Sequence, residues 1–373
     1  MSIEIRREAI HRLAEMHGSH VITYVTSTRE NLESPMSMDV IPIIYRHIQL
    51  IESKPEDTKI DLFVHSNGGD GVVPWRLVTL LRQYCSELTL LVPNRAYSAA
   101  TLLALGADRV LMHPMGNLGP IDPTVTTPFN PPDPANPAAR KLGVSVEDVA
   151  AYIALVKEDV GIHHEDELVQ AFLALANKDV IHPLALGSVK RSTAQGRMLG
   201  EKLLKKHKNP MPDHEISEVV KTLTSELYYH GHPIDWNEAR SELGLKFVDR
   251  ASDDLCDLMW DLFSEYSQLF QLDSAFDTQV EAARSGNLPS TPPPPGLVVN
   301  GAQTTGQNVS EFRAGPFTTV AMESRRLSSH FEVTLDIIAR RDWTGQLQAL
   351  VAVADSGWHH DVPASGVQNP APS

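Results

Sequence analysis

The apolar positions along the chain switch repeatedly between helical and strand spacing. Residues 3–16 place Ile5, Ala9, Ile10, Leu13 and Met16 at helical intervals, and the β-branched run Val21–Thr26 predicts the first strand. Ser27–Met38 reads as a polar loop. Asp39–Glu52 predicts a helix with Ile41, Ile44, Ile48 and Ile51 on one face and Asp39 as its cap. Lys59–His65 alternates Ile60, Leu62 and Val64 with Asp61 and Phe63, then stops at Ser66-Asn67-Gly68-Gly69-Asp70. Val72–Tyr84 returns to helical spacing through Val73, Leu77, Leu80 and Leu81. Leu88–Val92 is the next strand, Ala99–Gly106 a helix opened by Ser98, and Arg109–His113 a further short strand. Strand, helix, strand, helix, strand in this compass predicts parallel βαβ units with right-handed crossovers.

The second half of the chain reads as mostly helical. Thr124–Ala139 is rich in proline and forms a surface loop with the character of a lid. Helices are expected at Ser145–Lys157, where Ser145 and Asp148 resemble a capping box, and at Glu165–Asn177. His182–Gly187 breaks the pattern before a basic helix from about Val189 to His207, whose polar face carries Lys190, Arg191, Arg197, Lys202, Lys205 and Lys206. Glu215–Tyr229, Trp236–Leu243 and Asp253–Leu272 complete the helices. Residues 1–283 read as one domain, 284–296 as a proline-rich linker, and 297–373 as a small β-rich extension. Its strands fall at Phe317–Met322, Phe331–Ile338 and Leu347–Ala354, and a disordered tail follows.

Composition narrows the function. The chain has 373 residues, 42% of them hydrophobic, enough for a sizeable core without covalent staples. A net charge of −15 argues against an extended nucleic-acid surface. The two cysteines, Cys85 and Cys256, have no CxxC spacing and read as buried thiols, so neither disulfides nor zinc are expected. No stretch approaches the roughly 18 to 20 apolar residues needed to span a bilayer, and the charged N-terminus is no signal peptide, so a soluble, cytoplasmic protein is expected.

The chemistry concentrates between His65 and Pro123. One strand ends in paired glycines at the start of a helix, where backbone N–H groups are free to face an anion. The next strand ends in Ser98, also at a helix start. A serine hydroxyl needs a base to take its proton and donors to hold the oxyanion that follows, and Gly68, Gly69 and Ala99 are candidates for those donors. The competing reading of Ser98 is a plain helix cap. Asp70 reads as a cap of the following helix. Asp122 either orients a base or caps a turn, and His230 and His232, two apart with no acidic ligand beside them, suit a turn better than a metal site.

Taken in order, Ser-Asn-Gly-Gly-Asp, Ala-Tyr-Ser-Ala-Ala-Thr-Leu-Leu-Ala-Leu-Gly-Ala-Asp, Leu-Gly-Pro-Ile-Asp-Pro, His-Pro-Leu-Ala-Leu-Gly and His-Gly-His-Pro-Ile resemble the serine dehydrogenase proteinase (SDH) family. That family is a branch of the Clp-protease/crotonase fold related to signal peptide peptidase A. The resemblance covers residues 20 to about 250. It implies an α/β fold of repeated ββα/βαβ units with a helical C-terminal part, a serine endopeptidase activity with Ser98 as nucleophile and the glycine pair in the oxyanion turn, and assembly into a homo-oligomer. No GxGxxG turn supports a dinucleotide cofactor, and none is expected.

The base is less plainly written. Clp proteases use a histidine about two dozen residues after the serine, where this chain has Ile121 and Asp122, while His113 comes earlier. The signal-peptide-peptidase branch uses a lysine, which must be neutral to act. Lys141, Lys157 and Lys190 are available. Lys190 is preferred because the start of a helix disfavours an ammonium. The substrate is then a peptide or protein. A catalytically silent scaffold that oligomerises and recruits partners is the alternative, and acyl-CoA chemistry of the crotonase type is a third.

Overall fold

A computed structural model describes residues 3–121, 126–133, 141–144, 146–177, 180–225, 227, 231–286, 289–291 and 309–362. In chain order the elements are α1 (Ile3–His17), β1 (His20–Thr26), α2 (Val40–Ile48), β2 (Lys59–His65), α3 (Val72–Leu81), β3 (Glu87–Val92), β4 (Arg95–Ala96), α4 (Ala99–Leu105), β5 (Arg109–Met112) and β6 (Asn117–Leu118). They continue as α5 (Val146–Ala154), α6 (Glu165–Leu175), α7 (Pro183–Leu204), α8 (Asp213–Ser225), β7 (Val248–Arg250), α9 (Asp253–Phe270), α10 (Thr278–Ser285), β8 (Val309–Ser324), β9 (Leu327–Arg341) and β10 (Leu347–Asp361).

An 8-stranded mixed sheet runs in the order β10-β9-β8-β1-β2-β3-β5-β7. The strands from β1 to β7 are parallel, as the alternation of elements predicts, and β8–β10 are antiparallel. Side-chain alternation splits the parallel strands between two cores. Ile60, Leu62 and Val64 of β2 join α2, α3, α4, α7 and α8 on one face, while Phe63 joins Leu13 of α1 and Met259 and Leu262 of α9 on the other. Helices therefore cover both faces, which a parallel sheet requires because its strands are apolar all round.

The C-terminal strands differ from expectation in length and place. They span 15 or 16 residues each and do not stand apart as an appendage. β8 pairs with β1, so the sheet continues through them. The seam is pinned by a buried network. Arg6 of α1 donates Nε and Nη2 to the two carboxylate oxygens of Glu323, both at 2.8 Å. Tyr266 of α9 donates to Glu323 at 2.6 Å, and His330 of β9 contacts it at 2.7 Å. Long-range pairing of this kind has no local signature, which is why the sequence shows strands but not their partners.

Two further boundaries move. α7 begins at Pro183, not near Val189, because His182 is its cap and accepts the Leu184 N–H at 3.1 Å, while Pro183 fills the first helical position. Asp39 precedes α2 without a side-chain bond to its N–H groups and instead accepts the Trp358 indole N–H at 2.9 Å. Cys85 and Cys256 are free and buried, and burial pushes the Cys85 thiol up to about 12. Ser145, of the expected capping box, lies outside the described residues.

Candidate active site

β3 stops at Val92, and the chain turns through β4 into α4. Ser98 stands at that corner with φ 52° and ψ −112°, in the left-handed half of the map where a residue with a Cβ is strained. Its hydroxyl makes no capping bond to the helix behind it. A simple cap takes extended backbone and its side-chain oxygen accepts a helix N–H, so Ser98 has neither property of one. Thr101 braces the corner by donating to Ala96 O at 2.7 Å and accepting the Gly119 N–H at 3.0 Å.

The glycine turn after β2 packs directly on this corner. A Cβ on Gly68 would lie 2.7 Å from Tyr97 O and 2.8 Å from Ser98 Cβ, and one on Gly69 would lie 2.4 Å from Met36 N and O. Both glycines also have positive φ, 98° and 151°. No other residue fits. Met36, from the stretch read as a polar loop, is fully buried and clamps the turn: its N–H donates to Gly68 O at 2.8 Å and its carbonyl accepts the Asp70 N–H at 2.9 Å.

These bonds separate the two glycines. The Gly68 N–H donates to Ser66 Oγ at 3.0 Å, and the Gly68 carbonyl is held by Met36. A trans peptide points its N–H opposite to its C=O, so the Gly69 N–H is directed away from Met36. Among the described residues it has no acceptor, and neither does the N–H of Ala99 at the first position of α4. Gly69, Ser98 and Ala99 line one cleft of about 460 Å³.

The cleft walls are Asn67, Asp70, Leu102 and Ile121 on the strand side and Ser192, Gln195, Gly196 and Leu199 of α7 on the other, with Thr126 at the rim. α7 packs against this wall through Gly196, where a Cβ would meet Ile121 O at 3.4 Å, an ordinary contact. Asp70 accepts the Val72 N–H at 2.9 Å, consistent with its expected place at the helix start.

Among the described residues no lysine or histidine lines this cleft. Lys190 is exposed and two residues from Ser192, which at 100° per residue places it about half a turn from the cleft face. Because α7 starts at Pro183, Lys190 sits in its third turn, beyond the N-terminal turn in which the helix dipole disfavours an ammonium. Lys157 is exposed in the π-helical turn Leu155–Asp159. Lys141 is exposed and bridges Pro132 in the rim segment that begins near Thr126. His113 is on the α9 side of the sheet, stacked on Trp260 with ring centroids 4.8 Å apart, its pKa lowered by burial. His65 is also on that side, and burial, aided by the Arg95 charge, pushes its imidazole down to about 3. Asp122 and His230 lie outside the described residues. His232 does have an acidic neighbour, Glu238, at 2.7 Å, and no cluster of metal-ligating side chains forms among the described residues.

Residues 1–173 match a family model described as a ClpP-like SDH-type serine proteinase. The match covers less than half of the chain. The uncharacterized protein MJ1495 of Methanocaldococcus jannaschii is 21% identical over 250 residues, 65% of this chain and 70% of that protein. The uncharacterized protein MJ0137 of the same organism is 29% identical over 127 residues, 32% of this chain and 42% of that protein. A solved structure of the 1510-N membrane-bound stomatin-specific protease, a serine-to-alanine mutant, matches at 17% identity and TM-score 0.25, over 42% of this chain and 68% of that chain. No helix among the described residues is long and apolar enough to cross a membrane.

Sequence reasoning missed Ser66, Met36, Ser192 and Gln195. Ser66 lies two residues before Gly68, inside the same motif. Met36 and the α7 residues enter through tertiary contact and leave no local sign.

Proposed function

We propose that the protein is a serine peptidase of the Clp/crotonase-like class in which Ser98 is the nucleophile and the N–H groups of Gly69 and Ala99 hold the oxyanion. Gly68 shapes the turn and is not itself a donor to substrate. The observation that carries this reading is the strained Ser98 corner, in one cleft with two backbone donors that have no acceptor among the described residues. The ClpP-like similarity of residues 1–173 supports it.

In the reaction Ser98 Oγ attacks the scissile carbonyl, its proton passes to the base, and the carbonyl oxygen takes up negative charge between the two N–H groups. The base then returns the proton to the leaving amine, and water releases the acyl group by the same steps. The base is a lysine. Lys190 lies about half a turn round α7 from the cleft face, whereas Lys141 bridges Pro132 in the stretch that follows the rim residue Thr126. That placement favours Lys141. The substrate is a peptide or protein, and the enzyme works as a cytosolic homo-oligomer.

Labelling with a fluorophosphonate probe tests the nucleophile. Wild-type protein should label and Ser98→Ala should not; equal labelling of the two overturns the assignment. Lys141→Ala should then slow labelling about a hundredfold, the usual size of a lost general base, with Lys190→Ala within twofold of wild type. The reverse order would return the role to Lys190. That no lysine or histidine among the described residues lines the cleft favours a second reading, a silent scaffold, which predicts no labelling of wild-type protein at all.

A further inference from the structure

We propose that Ser66 is a positioning residue that acts through Gly68 to decide which N–H of the glycine turn faces the reacting carbonyl. The inference rests on the Ser98 reading above. Ser66 is fully buried and outside the cleft, so it touches no substrate. Its hydroxyl oxygen accepts the Gly68 N–H at 3.0 Å and the hydroxyl of Thr26, also fully buried, at 2.9 Å. Its backbone spans to the other half of the site: the Ser66 N–H donates to Arg95 O at 2.9 Å, and the Ser66 carbonyl accepts the Tyr97 N–H at 3.1 Å. One residue thus ties the glycine turn to the strand that delivers Ser98.

The hydroxyl is needed because the turn is built from glycines. Gly68 and Gly69 have no Cβ to restrict them, so the peptide between them rotates freely unless both ends are held. Met36 holds the carbonyl of that peptide. Ser66 holds the preceding N–H, which fixes the plane from which the next peptide departs. With both restraints in place the Gly69 N–H is the remaining donor. Thr26, at the end of β1, fixes the Ser66 rotamer and so extends the brace into the sheet. Removing the Ser66 oxygen leaves the Gly68 N–H buried without an acceptor, and the turn relieves that cost by rotating. The oxyanion donor then leaves its post while the cleft that binds the ground state stays as it was.

The test uses a small fluorophosphonate on the full chain. Ser98 Oγ forms a bond to phosphorus, fluoride departs, and the proton goes to the base, so the phosphoryl oxygen occupies the oxyanion position. For Ser66→Ala the limiting inactivation rate should fall about tenfold or more, up to the roughly 100- to 1,000-fold cost of losing a single oxyanion donor outright. The probe concentration giving half that rate should stay within twofold. Thr26→Val, which keeps shape but removes the donor, should show a smaller fall of the same kind, and it stands in if Ser66→Ala does not fold as judged by its melting curve. An unchanged limiting rate in a folded variant, or a loss confined to probe affinity, overturns the proposal. If Ser98→Ala labels as wild type, the nucleophile assignment fails instead; if Ser98→Ala is silent and Ser66→Ala labels normally, only the role of Ser66 fails.

Discussion

β1, β2 and β3 are buried at nearly every position, whereas β10, in the same sheet, has no buried residue along its 15 positions. The parallel strands can form only between two helical layers, since each must hide both faces. The antiparallel strands are hydrogen-bonded to neighbours a short turn away and tolerate solvent. The candidate chemistry sits at the C-terminal tips of the parallel half. There the backbone is held firmly enough to keep a strained serine in place. The halves meet at β1 and β8, so the test of their interdependence lies at that seam.

The largest effect is expected from Glu323→Gln. It leaves the buried Arg6 guanidinium without its counter-charge, a change that costs about 3–5 kcal/mol in comparable buried pairs. Urea unfolding should show this as a lower midpoint. If the midpoint stays put, the antiparallel half is not coupled to the rest through this network.

Acid should separate the halves next. Burial alone would raise the Glu323 pKa, but hydrogen bonds from Arg6 and His330 outweigh it and hold the carboxyl at about 2. Its stabilising share is full above the ordinary carboxylate value near 4.5 and is lost as pH falls toward 2. His47, between Ser324 and Ser329 and near Glu323 and His360, is pushed by burial down to about 3, and so is His65. Their share is full above about pH 6.5 and declines as pH falls from there toward 3. Stability measured by urea unfolding should therefore fall in two overlapping stages, and Glu323→Gln should flatten mainly the one that sets in below pH 4.5. A single stage in both proteins breaks the distinction.

The smallest effect is expected at the exposed end of the antiparallel half. Arg313 pairs with Asp336 at 2.9 Å, but both side chains are more than half exposed. Arg313→Ala should leave the urea midpoint within error of wild type. A measurable drop would mean that this outer ribbon is less independent than its burial suggests.

The same contrast governs what could be read from the sequence. The spacing of Ile60, Leu62 and Val64 and the helix pattern at Val73, Leu77 and Leu81 reflect burial on a parallel sheet, and they led directly to Gly69 and Ser98. The strands after the proline run were visible as runs of β-branched residues, but their union with β1 rests on Arg6, Glu323 and Tyr266, which are more than 50 residues apart in each case. The start of α7 differs from the expected one through an ordinary local signal. Proline and glycine at 183 and 187 suggested a break, whereas His182 caps and Pro183 starts the helix, moving Lys190 from its first turn into its body.

The positive φ of Ser98 has a consequence for what the protein can become. Glycine is the residue that this backbone conformation favours, and glycine has no hydroxyl. At position 98 an increase in stability and the capacity for nucleophilic attack are therefore exclusive choices, and this corner cannot be optimised for both.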